Sequence, residues 1–524
     1  MIVESPNEVK SPTEATQFTK FPLLSLFPLL ALSVAAFCTL CFVTRAPMAD
    51  ALVYRAEGAA VLNGADLYGF TVTEWQLPAT YPPFAALLFV TAAWLPPAAL
   101  KVAFVAGNVA LLAVLVRLSC RLAGLPARLC ALCGATALAL WLEPVFQSVL
   151  FGQVNLAVAC LILWDLTRPP GARGKGIALG IAAGVKLTPA LFIAYLLLTR
   201  RRREAGAATA ACAGTVLLGA LALPAASVDF WTRRLYETDR VGKAWIVDNQ
   251  SLQGLIARAL GEPSPGLAWA LPALAVGCAG LWLARRVTVG GGGDSPGVVG
   301  GGGDSPGAVG DGDVSPVTVG GGGVSPGAVG GGGVSPGGVS PGTADGGGVS
   351  PGGVSPGTAD DRDVSPTAAD HRCLSPTAAR HRRVLPGTAD RHRRALPGTA
   401  DRHRRALPGT ADRQGISPAV ADRWGILTTA LTALLISPIS WSHHWVWCVP
   451  LIAVLYAEHG PRPAVAVVAV FTARTLWLIP HQGALDLRLP WWQQPLASPY
   501  PLLGLVLLVQ LSVSASNSSA SMIR

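Results

Sequence analysis

The chain has 524 residues, of which 51% are apolar and 13% charged, with a mean hydropathy of +0.46. That composition excludes an ordinary soluble enzyme and belongs to a protein that lives in a bilayer. Its net charge of +10 would suggest nucleic acid in a soluble protein; here the arginines sit mostly at the ends of apolar segments, as positive-inside topology requires, and in one low-complexity block, so no nucleic-acid partner is expected.

Residues 1–20 are polar and read as a cytoplasmic tail. The apolar run 21–43 is long enough to cross a membrane, where about 18–20 residues are needed, and it lacks a small-residue cleavage site, so it reads as a retained first helix. The stretch 44–82 then breaks the apolar character with Asp50, Tyr54, Glu57, Asp66 and Tyr68 and is predicted to lie outside. A short apolar segment between Tyr81-Pro-Pro and Leu95-Pro-Pro is too short to span and is expected to be interfacial or re-entrant.

Segments 102–118, 129–146 and 147–165 follow as alternating crossings. The run 176–199 has basic residues at both ends and a break at Lys186-Leu-Thr-Pro189, which predicts two half-helices forming a re-entrant hairpin, with a straight helix as the alternative. Crossings 207–227 and 266–284 complete the membrane region 21–286. From 287 to 423 the composition turns to Gly, Ser, Pro, Asp and Arg in short units, such as Pro386 to Leu396 repeated at Pro397 to Leu407. No apolar face recurs in it, so disorder on the cytoplasmic side is expected, and the basic half could meet anionic lipid.

The C-terminal membrane part, 424–524, supplies crossings 424–440, 446–457, 463–480 and 499–515. The sum is an all-α polytopic cell-membrane protein of about ten full crossings, with both termini cytoplasmic.

This charge-based topology delivers Asp50, Tyr54, Glu57, Asp66, Tyr68, Glu143, Asp248, Asn249, Gln250, His443 and His444 to one outer face. Ionisable groups at a membrane boundary raise a functional expectation. Asp50 is either a general base taking a proton from an attacking hydroxyl or a helix cap. The adjacent histidines lack any zinc-ligand spacing, so no metal is expected; they can bond a phosphate or stand as interfacial residues beside Trp441, Trp445 and Trp447. Gln153 and Asn155 are helix glue or ligand contacts, whereas a cation as deep as Lys186 calls for an anion such as a lipid phosphate. No nucleotide-binding loop is present, and the ten cysteines read as small core residues.

Taken together, Asp50-Ala-Leu-Val-Tyr54 with Gly64-Ala-Asp-Leu-Tyr68, Tyr81-Pro-Pro-Phe84, Gly152-Gln-Val-Asn155, Gly184-Val-Lys-Leu-Thr-Pro189, Asp248-Asn-Gln-Ser251, Ser437-Pro-Ile-Ser-Trp441 with His443-His444, and Trp491-Trp-Gln-Gln494 resemble glycosyltransferase family 87. That family includes polyprenol-phosphate-mannose-dependent α-mannosyltransferases of actinobacteria. The resemblance implies a GT-C-type helical bundle with an extracytoplasmic active site, a polyprenyl-phosphate sugar donor in place of a cofactor, and a glycolipid or glycan acceptor. It implies Asp50 as the catalytic base, with Lys186, His443 and His444 at the donor phosphate and Tyr54, Asp66, Gln153, Asn155, Asn249 and Gln250 as substrate contacts. The sugar, mannose or arabinose, stays open at this point. So do two other classes: a transporter or flippase of lipid-linked sugars, which would show two similar halves, and a membrane scaffold.

Overall fold

A computed structural model describes residues 26–290, 422–479 and 484–521. The tail 1–20, His481 and the repeat block between 291 and 421 lie outside the described residues. Helix α1 (Leu26–Val43) leads into α2 (Ala49–Asn63), a two-stranded ribbon, β1 (Thr71–Val72) with β2 (Leu77–Pro78), and then α3 (Pro83–Ala93) and α4 (Pro97–Ala123). Both α3 and α4 begin on a proline, which is pre-set for the first helical turn and has no N–H to leave unsatisfied. Gly58 of α2 lies so close to α3 that a Cβ would stand 2.2 Å from the Phe89 carbonyl oxygen, so these two helices pack backbone to backbone.

Next come α5 (Leu129–Ala139), α6 (Glu143–Phe151) and α7 (Asn155–Leu166). The axes of α5 and α6 differ by 78°. The break carries Glu143, both of whose carboxylate oxygens are occupied: Trp477 Nε1 donates to one at 3.0 Å and the Tyr500 hydroxyl to the other at 2.7 Å. A buried carboxylate is retained here because it is fully paired.

Helix α8 (Ile177–Val185) ends at Lys186, whose backbone is extended; after a 3₁₀ turn at Thr188–Ala190, α9 (Leu191–Leu198) and α10 (Arg202–Ala222) follow. Gly176 faces Glu204, Gly180 faces Ala208 and Gly184 faces Thr215. Because both members of each pair advance together along the sequence, α8 and α10 run in the same direction. The intervening α9 therefore runs back, and the chain reverses at Lys186–Ala190 as the broken-helix expectation required. The small residues at these spacings let the two backbones approach closely, as in membrane helix pairs.

Then come α11 (Pro224–Thr232), a long loop, α12 (Leu252–Leu260) and α13 (Leu267–Gly290). After the undescribed block the chain resumes with α14 (Arg423–Ile436), a 3₁₀ helix Ser442–Trp447, α15 (Cys448–His459), α16 (Pro461–Thr472), α17 (Gln494–Ala497) and α18 (Pro499–Ser521). Helices α13 and α14 are antiparallel: Gly277 faces Ile436, Gly280 faces Thr432, and Thr288 meets Gly425. The helix continues to Gly290, so the membrane fold persists slightly past the sequence boundary at 287.

Their free ends are tied into the bundle. Arg201 pairs with Asp422, Arg423 pairs with Glu458, and the Tyr195 hydroxyl meets Thr288 Oγ1 at 3.0 Å. The repeat block thus leaves and re-enters at the tip of one helical hairpin. Replacing 291–421 with a short flexible linker is expected to leave membrane insertion, thermal stability and transfer activity within about twofold of the parent, since the cost of loop closure changes slowly with length. Detergent-solubilised melting and an activity assay check this.

Five described helices are long and apolar enough to cross a membrane: Leu26–Val43, Pro97–Ala123, Arg202–Ala222, Leu267–Thr288 and Pro499–Ser516. The bent pair α5–α6 adds one more if counted as a single broken span. The chain is a helical membrane protein. The runs read from sequence as crossings at 129–165 are instead three short helices, because Glu143-Pro144 and Gly152-Gln153 interrupt the helical ladder and turn the chain.

Candidate functional site

The site is built around the turn between α6 and α7. Gly152 caps α6 with φ +71, and a Cβ there would stand 2.7 Å from Ala51 Cβ and 3.3 Å from Met48 Cε. Glycine is required twice over, by the left-handed backbone and by the approach of α2's first turn. This contact sets Gln153 beside Asp50.

Asp50 is the second residue of α2. The N-cap is Met48, with no side-chain cap bond, so the capping role considered for Asp50 is not the one it plays. Its carboxyl keeps some solvent contact, yet most of its surroundings are protein. Burial pushes it up to about 6; the Gln153 amide and the Lys186 cation act against that shift, and the Asp248 carboxylate adds to it. A carboxylate poised there can take a proton near neutral pH.

Gln153 is held in turn. Its Oε1 accepts from the Tyr54 hydroxyl at 3.0 Å and from the Tyr81 hydroxyl at 3.3 Å. Those hydroxyls lie 3.1 Å apart, and the Tyr54 ring stacks on Phe89 with centroids 4.3 Å apart. With its oxygen engaged by two phenols, Gln153 turns its amide NH₂ toward Asp50. Tyr54 therefore acts through Gln153. Tyr81, quoted in a motif but not expected in the site, is its equal partner. The signal was its adjacency to the proline pair, which fixes the start of α3.

Asn155, two residues on, serves the other side of the turn. Its Nδ2 donates to the His443 carbonyl at 3.0 Å, and its Oδ1 accepts from Lys186 Nζ at 2.9 Å. Lys186 Nζ also contacts His444 Nε2 at 3.0 Å. An ammonium can only donate, so His444 Nε2 offers its lone pair and the ring proton sits on Nδ1. One N–H of Lys186 remains. The cation lies 5.8 Å from the Tyr81 ring centroid, which links the two sides of the turn.

Lys186, His444 and Asn155 line a cleft together with Thr188, Ser437 and Ser440 and apolar side chains such as Phe192 and Leu434. His443 is buried, edge-on to Phe151 and to His444, and neither ring nitrogen has a hydrogen-bond partner. Its carbonyl also accepts from Ser148 Oγ at 2.8 Å, which fixes the pair of histidines against α6.

Asn249 and Gln250 are wholly buried and turned to the main chain. Asn249 Nδ2 donates to the Ala244 and Pro438 carbonyls at 2.7 and 3.0 Å, while its Oδ1 accepts from the Ser440 and Ser251 amides at 2.9 and 3.2 Å. Gln250 Nε2 donates to the Val247 and Ala497 carbonyls, and its Oε1 accepts from Tyr500 N at 3.3 Å. Both amides are saturated, so the expected sugar contacts give way to a role in clamping the loop onto residues 438–442. In consequence Asn249→Ala is expected to lower stability by about 3 kcal/mol or more by orphaning several buried groups. A fall in melting temperature with unchanged KM in the surviving protein would mark this role.

What the clamp presents is Asp248, whose carbonyl accepts from Ser442 N at 2.8 Å and whose charge reaches Asp50. Asp66 is exposed, and its Oδ1 accepts from Tyr68 N at 3.0 Å. It shapes a turn and does not join the site. Glu57, also on α2, is buried, and its carboxyl is pushed up to about 8 chiefly by that burial. Among the described residues no three His, Cys, Asp or Glu side chains converge.

The geometry thus collects Asp50, Tyr54, Gln153, Asn155, Lys186, His443 and His444 around one turn. Sequence comparison points the same way. A phosphatidylinositol mannoside mannosyltransferase of Mycobacterium tuberculosis, described as polyprenol-phosphate-mannose-dependent and α-(1-2), is 37% identical over 259 residues, covering 45% of this chain and 60% of that protein. Its Mycolicibacterium smegmatis counterpart is 35% identical, covering 46% and 59%. A phosphatidylinositol pentamannoside mannosyltransferase of the same species is 35% identical over 217 residues, covering 39% and 51%. The chain therefore spans about three-fifths of the length of the first two. No solved structure matches. Residues 79–299 match the model of glycosyltransferase family 87.

Proposed function

We propose that this protein is a membrane mannosyltransferase that moves mannose from a polyprenyl-phosphate donor to a lipid-anchored glycan at the extracytoplasmic face, in a GT-C arrangement. The observation that carries it is the division of labour across Gly152–Asn155: a carboxylate on one side, a cation with an imidazole on the other. In the reaction the acceptor hydroxyl oxygen bonds to the anomeric carbon as the bond from that carbon to the phosphate oxygen breaks. The hydroxyl proton passes to Asp50, and the bonding pair leaves with polyprenyl phosphate. Lys186, through its remaining N–H, and His444, through Nδ1–H, stabilise the charge gathering on the departing phosphate. His443, packed edge-on against His444, offers a further ring N–H.

One displacement inverts the anomeric centre, so a β-linked donor gives an α-linked product. The relatives' names supply mannose and a phosphatidylinositol mannoside acceptor, which favours mannose over arabinose and a transferase over a flippase. The test is to incubate purified protein in nanodiscs with labelled polyprenyl-phosphate-mannose and phosphatidylinositol mannosides. A labelled, α-mannosidase-sensitive glycolipid supports the reading; label that only changes leaflet, or no product, overturns it.

A further inference from the structure

Hydrogen-bond acceptors without donors gather where α6 meets the histidine pair. Helix α6 turns Glu143, Gln147 and Phe151 to one side at successive turns, and it packs along the 3₁₀ helix Ser442–Trp447. Near its end the Phe151 ring meets the His443 ring edge-on, with centroids 5.5 Å apart. At its start Glu143 lies within reach of the Asp248 charge. Gln147 stands between these two points, and its Oε1 is buried with no hydrogen-bond partner. Asp248 joins the same wall through Ser442, the neighbour of His443: its carbonyl and its Oδ1 both accept from Ser442 N, at 2.8 and 3.3 Å. Gln147 and Asp248 each keep part of their surface open, whereas Ser148, Val247 and Asn249 beside them are buried.

The chemistry of these groups narrows the occupant. A buried acceptor with no donor costs free energy, and it is retained where a ligand or water supplies the missing bond. Burial, and after it the Lys186 cation, hold the His443 imidazole well below the usual histidine range. The ring is therefore neutral at pH 7, with an N–H on one nitrogen and a lone pair on the other. Its N–H is the part given above to the phosphate. What remains on this wall accepts: the His443 lone pair, Gln147 Oε1 and the Asp248 carboxylate. A phosphate brings more acceptors, and an isoprenoid chain brings no polar atoms. A sugar ring brings several hydroxyls, each able to donate. Reversing the Gln147 amide changes nothing, since a hydroxyl also accepts.

We propose that Gln147 and Asp248 bind hydroxyls of the transferred sugar ring and so select it, in the space between Asp50 and the Lys186–His444 pair. This rests on the transferase reading above and deepens it, by naming the side chains that read the sugar. During displacement the anomeric carbon lies between base and departing phosphate, so the hydroxyls of its ring fall against the wall that joins them. Gln147 and Asp248 thereby set which sugar is accepted, while Asp50 and Lys186 act on the bonds that form and break.

Donors that lack one hydroxyl test this directly. Polyprenyl-phosphate-mannose and its monodeoxy analogues are compared in nanodiscs for the parent, Gln147→Met and Asp248→Asn. In the parent, one analogue is expected to lose about tenfold in kcat/KM and another about 100-fold, the scales of a neutral and a charged hydrogen bond left unmade. Gln147→Met should abolish the first penalty. Asp248→Asn should shrink the second to about tenfold, because a charged acceptor becomes a neutral one. A merely structural role would lower every donor by the same factor and leave the penalties as they are. Without donor, Gln147→Met should melt no lower than the parent, since it deletes an acceptor that has no partner to lose. A parent without penalties, penalties unchanged in either variant, or a lower melting temperature for Gln147→Met overturns the inference. Donor affinity across the same panel gives the comparison without turnover, so a parent that binds these donors yet transfers nothing counts against the transferase reading alone.

Discussion

Asp50→Asn is expected to reduce mannosyl transfer by about 10²–10⁴-fold, the usual contribution of a positioned general base, with little change in protein yield or melting temperature. The substitution keeps the shape and an oxygen for the Gln153 amide, and it removes only the proton acceptor. The pH dependence follows from the burial that raises the Asp50 carboxyl to about 6. Below that pH the group is protonated and cannot accept a proton, so the rate falls about tenfold per unit on the acid side and levels above it. The Asp50→Asn protein should lose this limb. Glu57, whose buried carboxyl is pushed further up, to about 8, is not expected to substitute for it near pH 7.

Lys186→Met is the second large effect. It removes the cation that lines the cleft and leaves Asn155 Oδ1 and His444 Nε2 without their shared partner. Loss of about 10²-fold in kcat/KM is expected, the scale of removing one charged stabiliser of a leaving oxygen. Lys186→Arg should rescue little. The ammonium meets a carbonyl oxygen and an imidazole lone pair at 2.9 and 3.0 Å from one nitrogen atom, and a planar guanidinium cannot reproduce that convergence. Titrating donor against initial rate separates the two variants: Lys186→Met raises KM for the donor, while Asp50→Asn lowers kcat.

Much of this site was legible in the sequence because membrane burial makes polar residues conspicuous. Lys186 and the break after it stood out since a cation and a proline interrupt an apolar run, and the chain does reverse there. Asp50 with His443 and His444 emerged from the same contrast. Asn249 and Gln250 misled for the same reason: a buried amide looks alike whether it meets a ligand or its own backbone, and only the positions of Pro438, Ser440 and Ala497 distinguish the cases. Asp66 was drawn in by its neighbours, yet an Asx turn needs nothing beyond Tyr68 N.

The helical, membrane-bound character followed from composition alone. The crossings at 129–165 did not, because apolar length measures capacity to span and says nothing of direction. A 78° bend at Glu143 and a left-handed Gly152 convert continuous hydropathy into three short helices. Tyr81 and Ser148 were missed because their importance depends on Gln153 and the His443 carbonyl, partners brought close only by the fold.

The central claim is that base and donor-phosphate functions lie on opposite sides of the Gly152–Asn155 turn. It is tested most directly by measuring donor affinity and transfer together in nanodiscs for the parent, Asp50→Asn and Lys186→Met. Asp50→Asn should bind polyprenyl-phosphate-mannose as the parent does and transfer almost none of it, whereas Lys186→Met should lose donor affinity by about an order of magnitude or more. Full transfer by Asp50→Asn, or unchanged donor affinity in Lys186→Met, would contradict the account.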